Sequence, residues 1–248
     1  MNYNPFSLVG KNILITGASS GIGRSVAIEC SKMGAKLIIT GRNQLRLSET
    51  CELLEGKDHL SIVSDLTQKN DLENLVKQLP PLNGLVHCAG INKRMVCQYI
   101  NEEDLNAIIN INLLVPILLQ KRILKDKKMI NSSSIVFLSS QAASKPSIGN
   151  AVYSASKAAI CSYSKVLALE LASKKIRVNA IHPGMVWTEL LTNTAISKDI
   201  YKKNENNYPL GRYGKPSDVA FLVIYILSDA SEWMTGSSLT IDGGSSLI

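Results

Sequence analysis

Thr16-Gly17-Ala18-Ser19-Ser20-Gly21-Ile22-Gly23 stands between two segments of different periodicity. Before it, Asn12 to Thr16 is a short, mostly apolar run that reads as a strand buried on both faces. After it, Ile22, Val26, Ala27, Cys30 and Met33 recur at helical spacing until Gly34 stops the helix. In a strand–turn–helix of this kind, Gly17 permits the tight turn. Gly21 lets the backbone approach a pyrophosphate, and Gly23 lets helix and strand pack closely. The free N–H groups at the helix start favour an anion. Gly17-Ala18-Ser19-Ser20-Gly21 also fits the G-x-S-x-G elbow of serine hydrolases. An elbow on the first strand, with a third glycine that has no hydrolase role, is the weaker reading.

The same alternation runs outward along the chain. Strands are predicted at Ala35–Thr40, Leu60–Ser64, Gly84–Cys88, Ser134–Ser139, Ile176–Ile181 and Leu239–Ile241. Helices are predicted at Asn43–Leu54, Gln68–Leu79, Asn101 towards Lys125, Asn150–Ser173 and Pro216–Ser228. Asn101 with Glu102, Glu103 and Asp104 forms an N-cap and acidic first turn, and Pro116 implies a kink further on. This β-α rhythm predicts an α/β Rossmann fold: a doubly wound, seven-stranded parallel sheet with helices on both faces. With no linker or repeat, residues 1–248 read as a single domain. The polar stretch 188–208 breaks the rhythm and is the candidate substrate lid.

Composition narrows the class. The 248 residues are 45% hydrophobic and 19% charged, which excludes a largely disordered chain. The longest uninterrupted run of large aliphatic and aromatic residues, Phe221–Leu227, is far below the ~20 residues of a membrane span, so no membrane role is expected. Five scattered cysteines without a C-x-x-C argue against disulfides or structural zinc and fit a cytoplasmic location. The net charge of +7 gathers partly at Lys121–Lys128 and Lys174–Arg177. These read first as solvated helix ends and second as a surface for an anionic partner. With aromatics at 5% and none interleaved among the cations, nucleic acid is not an expected partner.

Two further features carry chemistry. Thr40-Gly41-Arg42 ends the second strand where an NAD enzyme would present a carboxylate to the ribose. Arg42 would instead attract a 2′-phosphate, so NADP(H) is expected over NAD(H). Tyr153 and Lys157, four apart on a helix, share one face, and a nearby ammonium favours a phenolate. Ser140 ends the fifth strand and Asn112 lies on the preceding long helix. His87 reads as a packed strand residue, His59 and His182 as unpartnered, Cys88 as a small buried residue, and no metal is expected.

These pieces in this order resemble the short-chain dehydrogenase/reductase family along nearly the whole chain. The matching residues are 16–23, Asp65 after strand three, Ala89-Gly90 after strand four, Asn112, Ser140, Tyr153-Ser-Ala-Ser-Lys157, Pro183-Gly184 and Thr188. The segments 209–216 and 235–244 are most similar to the 3-oxoacyl-carrier-protein reductase type. The resemblance implies reduction of a ketone, or oxidation of a secondary alcohol, by hydride transfer. Tyr153 would be the acid/base, Lys157 its modulator and a ribose ligand, Ser140 the carbonyl-oxygen donor, and Asn112 the holder of a relay water. It also implies cofactor contacts at Gly17, Ser19, Ser20, Gly21, Ile22, Gly23, Arg42, Asp65, Leu66, Cys88, Ala89 and Gly90. Tyr153, Lys157, Pro183, Gly184, Val186 and Thr188 complete that set. The expected partner is a small carbonyl compound, free or carrier-bound. A 3-oxoacyl thioester leads; a sugar, nucleotide-sugar or steroid carbonyl, or a non-catalytic cofactor-binding regulator, is the alternative. A homotetramer or homodimer is implied, built on the helices starting near Asn101 and Asn150, with Phe221–Leu227 a further face. One departure stands out: His87-Cys88 replaces the family's usual Asn-Asn.

Overall fold

The computed structural model describes residues 3–145, 147–189 and 198–248. The predicted strands form: β1 Asn12–Thr16, β2 Lys36–Gly41, β3 Leu60–Val63, β4 Leu82–His87, β5 Met129–Leu138, β6 Arg177–Pro183 and β7 Ser238–Ile241. All pair in parallel, in the order β3-β2-β1-β4-β5-β6-β7. The order reverses between β1 and β4, and in open α/β sheets ligands bind beyond the strand ends at such a switch point.

Alternate residues of each strand feed separate cores. Leu14, Ile38, Leu85, Ile135 and Phe137 face one side, where α3 (Lys69–Gln78), α4 (Glu102–Ile109), α5 (Val115–Lys125) and α6 (Ala151–Leu171) lie. Ile13, Ile15, Leu37, Ile39, Val86 and Val136 face the other, under α1 (Gly21–Lys32), α2 (Gln44–Glu52) and α8 (Pro216–Leu227). This two-sided burial explains why the strands read as continuous apolar runs.

The long helix from Asn101 is interrupted, as Pro116 requires. A π turn, Asn110–Leu114, separates α4 from α5, and Pro116 sits in the first turn of α5. Proline has no N–H for the carbonyl four residues back, here that of Asn112. The combined stretch Glu102–Lys125 is long and apolar enough to cross a membrane by composition. Ile111, Val115, Leu119 and Ile123 are buried in the core against the sheet, so it serves as a core helix.

Two expectations are corrected. β5 begins five residues before the predicted Ser134, and its pairing with β4 shifts register after Leu82. Polar Asn131, Ser132 and Ser133, with Ser132 at φ +60°, mask this start in the sequence. The stretch 188–208 is not irregular throughout, since Lys198–Glu205 forms helix α7; the lid expectation for 190–197 lies outside the described residues.

Candidate active site

The turn after β1 is built as its glycines predict. Gly17 has φ +66°, and a Cβ on Gly23 would lie 2.3 Å from the Gly17 carbonyl oxygen, so helix and turn touch. Helix α1 then starts with no acidic residue in its first turn and no side-chain cap from Ser20. Its N–H groups and partial positive charge stay available to an anion. Beside the turn, Thr16 Oγ1 accepts from the backbone N–H groups of Cys88 and Ala89, both at 3.2 Å, locking the loop after β4 against β1. Thr16 is a positioning residue that the glycine pattern did not single out.

This turn floors a cleft of about 510 Å³ at the switch point. Gly17, Ser19, Ser20, Gly21, Ile22, Gly23, Arg42, Asp65, Leu66, Cys88, Ala89, Gly90 and Thr188 all line it, as expected. Thr40, Gly41, Ser64, Ile91, Asn92, Ile111, Arg46 and Glu189 also line it and were not foreseen. Asp65 uses Oδ1 on the N–H and hydroxyl of Thr67. Pro183, Gly184 and Val186 lie outside the cleft wall. Gly184 meets Asp242, where a Cβ would fall 2.8 Å from that side chain, and Val186 bridges to Gly214.

The residues present fit a dinucleotide. The hydroxyls of Thr40 and Ser64 are buried in the wall without a hydrogen-bond partner, as is Asn92 Oδ1. Such orphans call for a polar ligand or water. No carboxylate ends β2, and Arg42 is exposed with no ion pair among the described residues. The serine-hydrolase reading fails here: Ser19 packs against Gly41, and no histidine lines the cleft.

At the inner end of the cleft, β5 and α6 bring the chemistry together. Ser139 Oγ donates to the Lys157 carbonyl (2.8 Å), and Lys157 Nζ donates to the Leu138 carbonyl (2.7 Å). These bonds dock the strand end on the helix and set Ser140 beside the Tyr153 phenol. Lys157 is buried, and burial pushes its ammonium down to about 8. Asn112 accepts from Ile91 N and donates to Ile91 O, both at 2.9 Å, and donates to Ser156 Oγ at 3.1 Å. A Cβ on Gly90 would lie 3.1 Å from Asn112 Oδ1 and 3.4 Å from Lys157 Nζ. Asn112 and Lys157 thus reach the cleft wall at Gly90, while Tyr153 and Lys157, expected as cofactor contacts, are not among the residues lining the cleft.

One electrostatic expectation is reversed. The phenol of Tyr153 is held above its ordinary value: burial dominates, and the Ser140 hydrogen bond only partly offsets it. The Lys157 ammonium lies 5.7 Å from the ring centroid and spends a proton on Leu138.

The remaining suspects are structural. His87 stacks on Phe137 with centroids 4.5 Å apart and contacts Gln120; burial holds it down at about 4. The Cys88 thiol is pushed up to about 12 by burial, which suits packing rather than nucleophilic attack. His59 is not unpartnered, since it accepts from Leu37 N and contacts the Glu55 carbonyl. In the basic clusters, Arg122 pairs with Asp126 and Glu73, Lys128 donates to Leu79 O, and Arg177 donates to Ile226, Ser228 and Met234.

A phosphate-ready turn beside a Tyr–Lys–Ser cluster with a buried lysine defines a nucleotide-dependent oxidoreductase class. A family profile described as Enoyl-(Acyl carrier protein) reductase matches residues 17–246. The 3-oxoacyl-[acyl-carrier-protein] reductase FabG of Rickettsia felis is 35% identical over 246 residues, covering 96% of this chain and 97% of that one. A short-chain type dehydrogenase/reductase from Mycobacterium marinum superposes with TM-score 0.88 at 31% identity, covering 98% of each chain. A variant of actinorhodin polyketide ketoreductase solved with NADPH superposes with TM-score 0.87 at 26% identity, covering 95% of this chain and 97% of that one. The chain belongs to the short-chain dehydrogenase/reductase family.

Proposed function

We propose that this protein is an NADP(H)-dependent ketoreductase whose leading substrate class is the 3-oxoacyl thioester, with catalysis by Tyr153, Ser140, Lys157 and Asn112. The observation that carries the reading is buried Lys157, whose ammonium stands 5.7 Å from the Tyr153 ring and beside Gly90 in the wall of the nucleotide cleft. The oxidoreductase class and the NADP(H) expectation agree with the relatives, and the carrier-bound ketone follows the name of the R. felis reductase.

When bound, NADPH supplies the hydride to the carbonyl carbon. The chain's own residues do the rest. The glycine turn and the start of α1 hold the pyrophosphate, and Arg42 meets the 2′-phosphate. Tyr153 gives its phenolic proton to the carbonyl oxygen, and the raised affinity for that proton keeps the acid loaded at neutral pH. Ser140 donates a hydrogen bond to the same oxygen. Lys157, largely protonated below pH 8, places a cation beside the phenol and would hold the ribose of the bound cofactor. Asn112 fixes Ile91 with its side chain and would hold the relay water.

We read residues 1–248 as one catalytic domain working in the cytoplasm as a homodimer or homotetramer. Leu114 and Leu118 around α5, Val166 and Leu169 on α6, and Phe221 on α8 are exposed apolar side chains in keeping with such contacts. The deciding experiment follows NADPH absorbance over a carbonyl panel of 3-oxoacyl thioesters, sugars and steroids, with Tyr153→Phe as the blank. Turnover of a 3-oxoacyl thioester supports the reading. NADPH binding without turnover of any ketone would leave a cofactor-binding regulator instead.

A further inference from the structure

Arg46 and Glu189 both line the nucleotide cleft and pair with each other there. Arg46 lies on α2, beyond the end of β2, where Arg42 awaits the ribose phosphate. Glu189 follows Thr188, whose methyl would lie 3.3 Å from a Cβ on Gly21, so this segment leans on the phosphate turn. The guanidinium Nη1 stands 2.6 Å from Glu189 Oε2, and both residues line the cleft. The pair links positions 143 apart in sequence and has no counterpart among the bonds that build the sheet.

We propose that Arg46 and Glu189 form a clasp over the cofactor cleft, positioning the bound nucleotide and setting its residence time. The proposal rests on the cleft being the NADP(H) site. A nucleotide seated on Ser19–Gly21 would share the cleft with the ion pair, and its entry and exit would then require the pair to open. Arg46 is committed to a carboxylate, whereas Arg42 is not, so Arg42 reads the 2′-phosphate and Arg46 acts as a fastener. The clasp therefore acts alike on cofactors with and without that phosphate. Both side chains are nearly half exposed, so the bond is labile and suited to opening in each turnover.

The test is stopped-flow release of NADPH, followed by nicotinamide fluorescence after displacement with excess NADP⁺, and of NADH displaced likewise by NAD⁺. Arg46→Gln and Glu189→Gln should each speed release of both cofactors by about two- to five-fold, the range an exposed ion pair supports. The swap Arg46→Glu with Glu189→Arg should restore the wild-type rate. Unchanged release in the single variants, or a swap that fails to restore it, overturns the clasp. Acceleration confined to NADPH in Arg46→Gln would make Arg46 a phosphate ligand and equally overturn it. Failure of the wild type to hold NADPH would instead remove the cofactor reading on which the proposal rests.

Discussion

Lys157 Nζ lies 5.7 Å from the ring centroid of Tyr153 and donates at 2.7 Å to the carbonyl of Leu138, the last residue of β5. The cation therefore does structural and electrostatic work at once. It fastens strand to helix, and it stands beside the phenol without neutralising it.

That burial has a signature in stability. The Lys157 ammonium drops from its ordinary 10.5 to about 8 in the folded protein. Between pH 8 and 10.5 the unfolded chain keeps a proton that the folded chain has released, so stability climbs with pH across this window. The gain is about 3 kcal/mol at most, from ~1.4 kcal/mol per unit. Urea unfolding at pH 7.5 and pH 10 should show a rise in the wild type that Lys157→Met lacks.

His87 gives the mirror case in acid. It is neutral in the fold, with its affinity lowered from 6.5 to about 4 by burial. As pH falls from 6.5 to 4 the unfolded chain gains a proton that the folded chain refuses, and stability falls. His87→Asn should lower stability at pH 7 by roughly 1–3 kcal/mol through lost stacking on Phe137, yet flatten the acid loss. Thermal unfolding from pH 4 to 7 checks both effects.

The sheet was legible because its inner strands are buried on both faces and punctuated by glycines; β1 falls at the predicted Asn12–Thr16. The cleft floor followed from the glycine spacing, and Tyr153 with Lys157 from helical periodicity. What escaped was set by distant contacts. Helix α7 is polar, and Glu205 at its end is held by Trp187 Nε1 and Tyr213 N rather than by an apolar stripe. Thr16 looked like an ordinary strand end until the loop after β4 folded onto its hydroxyl. The lowered phenol expected from a neighbouring ammonium failed because sequence spacing carries no information on burial.

Gly23 tests the turn itself. A Cβ there would meet the Gly17 carbonyl, which is backbone and cannot swing aside. Gly23→Ala should cost at least ~2 kcal/mol by overpacking and weaken NADPH binding in the protein that still folds. Calorimetry of unfolding with and without NADPH measures both.

Arg42 tests the choice of cofactor. Arg42→Asp should raise the NADPH Michaelis constant by about ten- to a hundred-fold, the loss of a charge-assisted contact plus repulsion, while leaving NADH use intact or improved. Initial rates with the two cofactors at fixed ketone decide it, and unchanged NADPH use would contradict the assignment.

The central claim is that the Tyr153 phenol delivers the proton to a ketone held beside NADPH. Its most direct measurement is single-turnover NADPH oxidation by Tyr153→Phe, on the best substrate of the carbonyl panel, with NADPH affinity determined on the same sample. Loss of the phenolic proton should slow reduction by about 10²–10⁴-fold with the affinity for NADPH retained. Equal rates in the variant and the wild type would contradict the account.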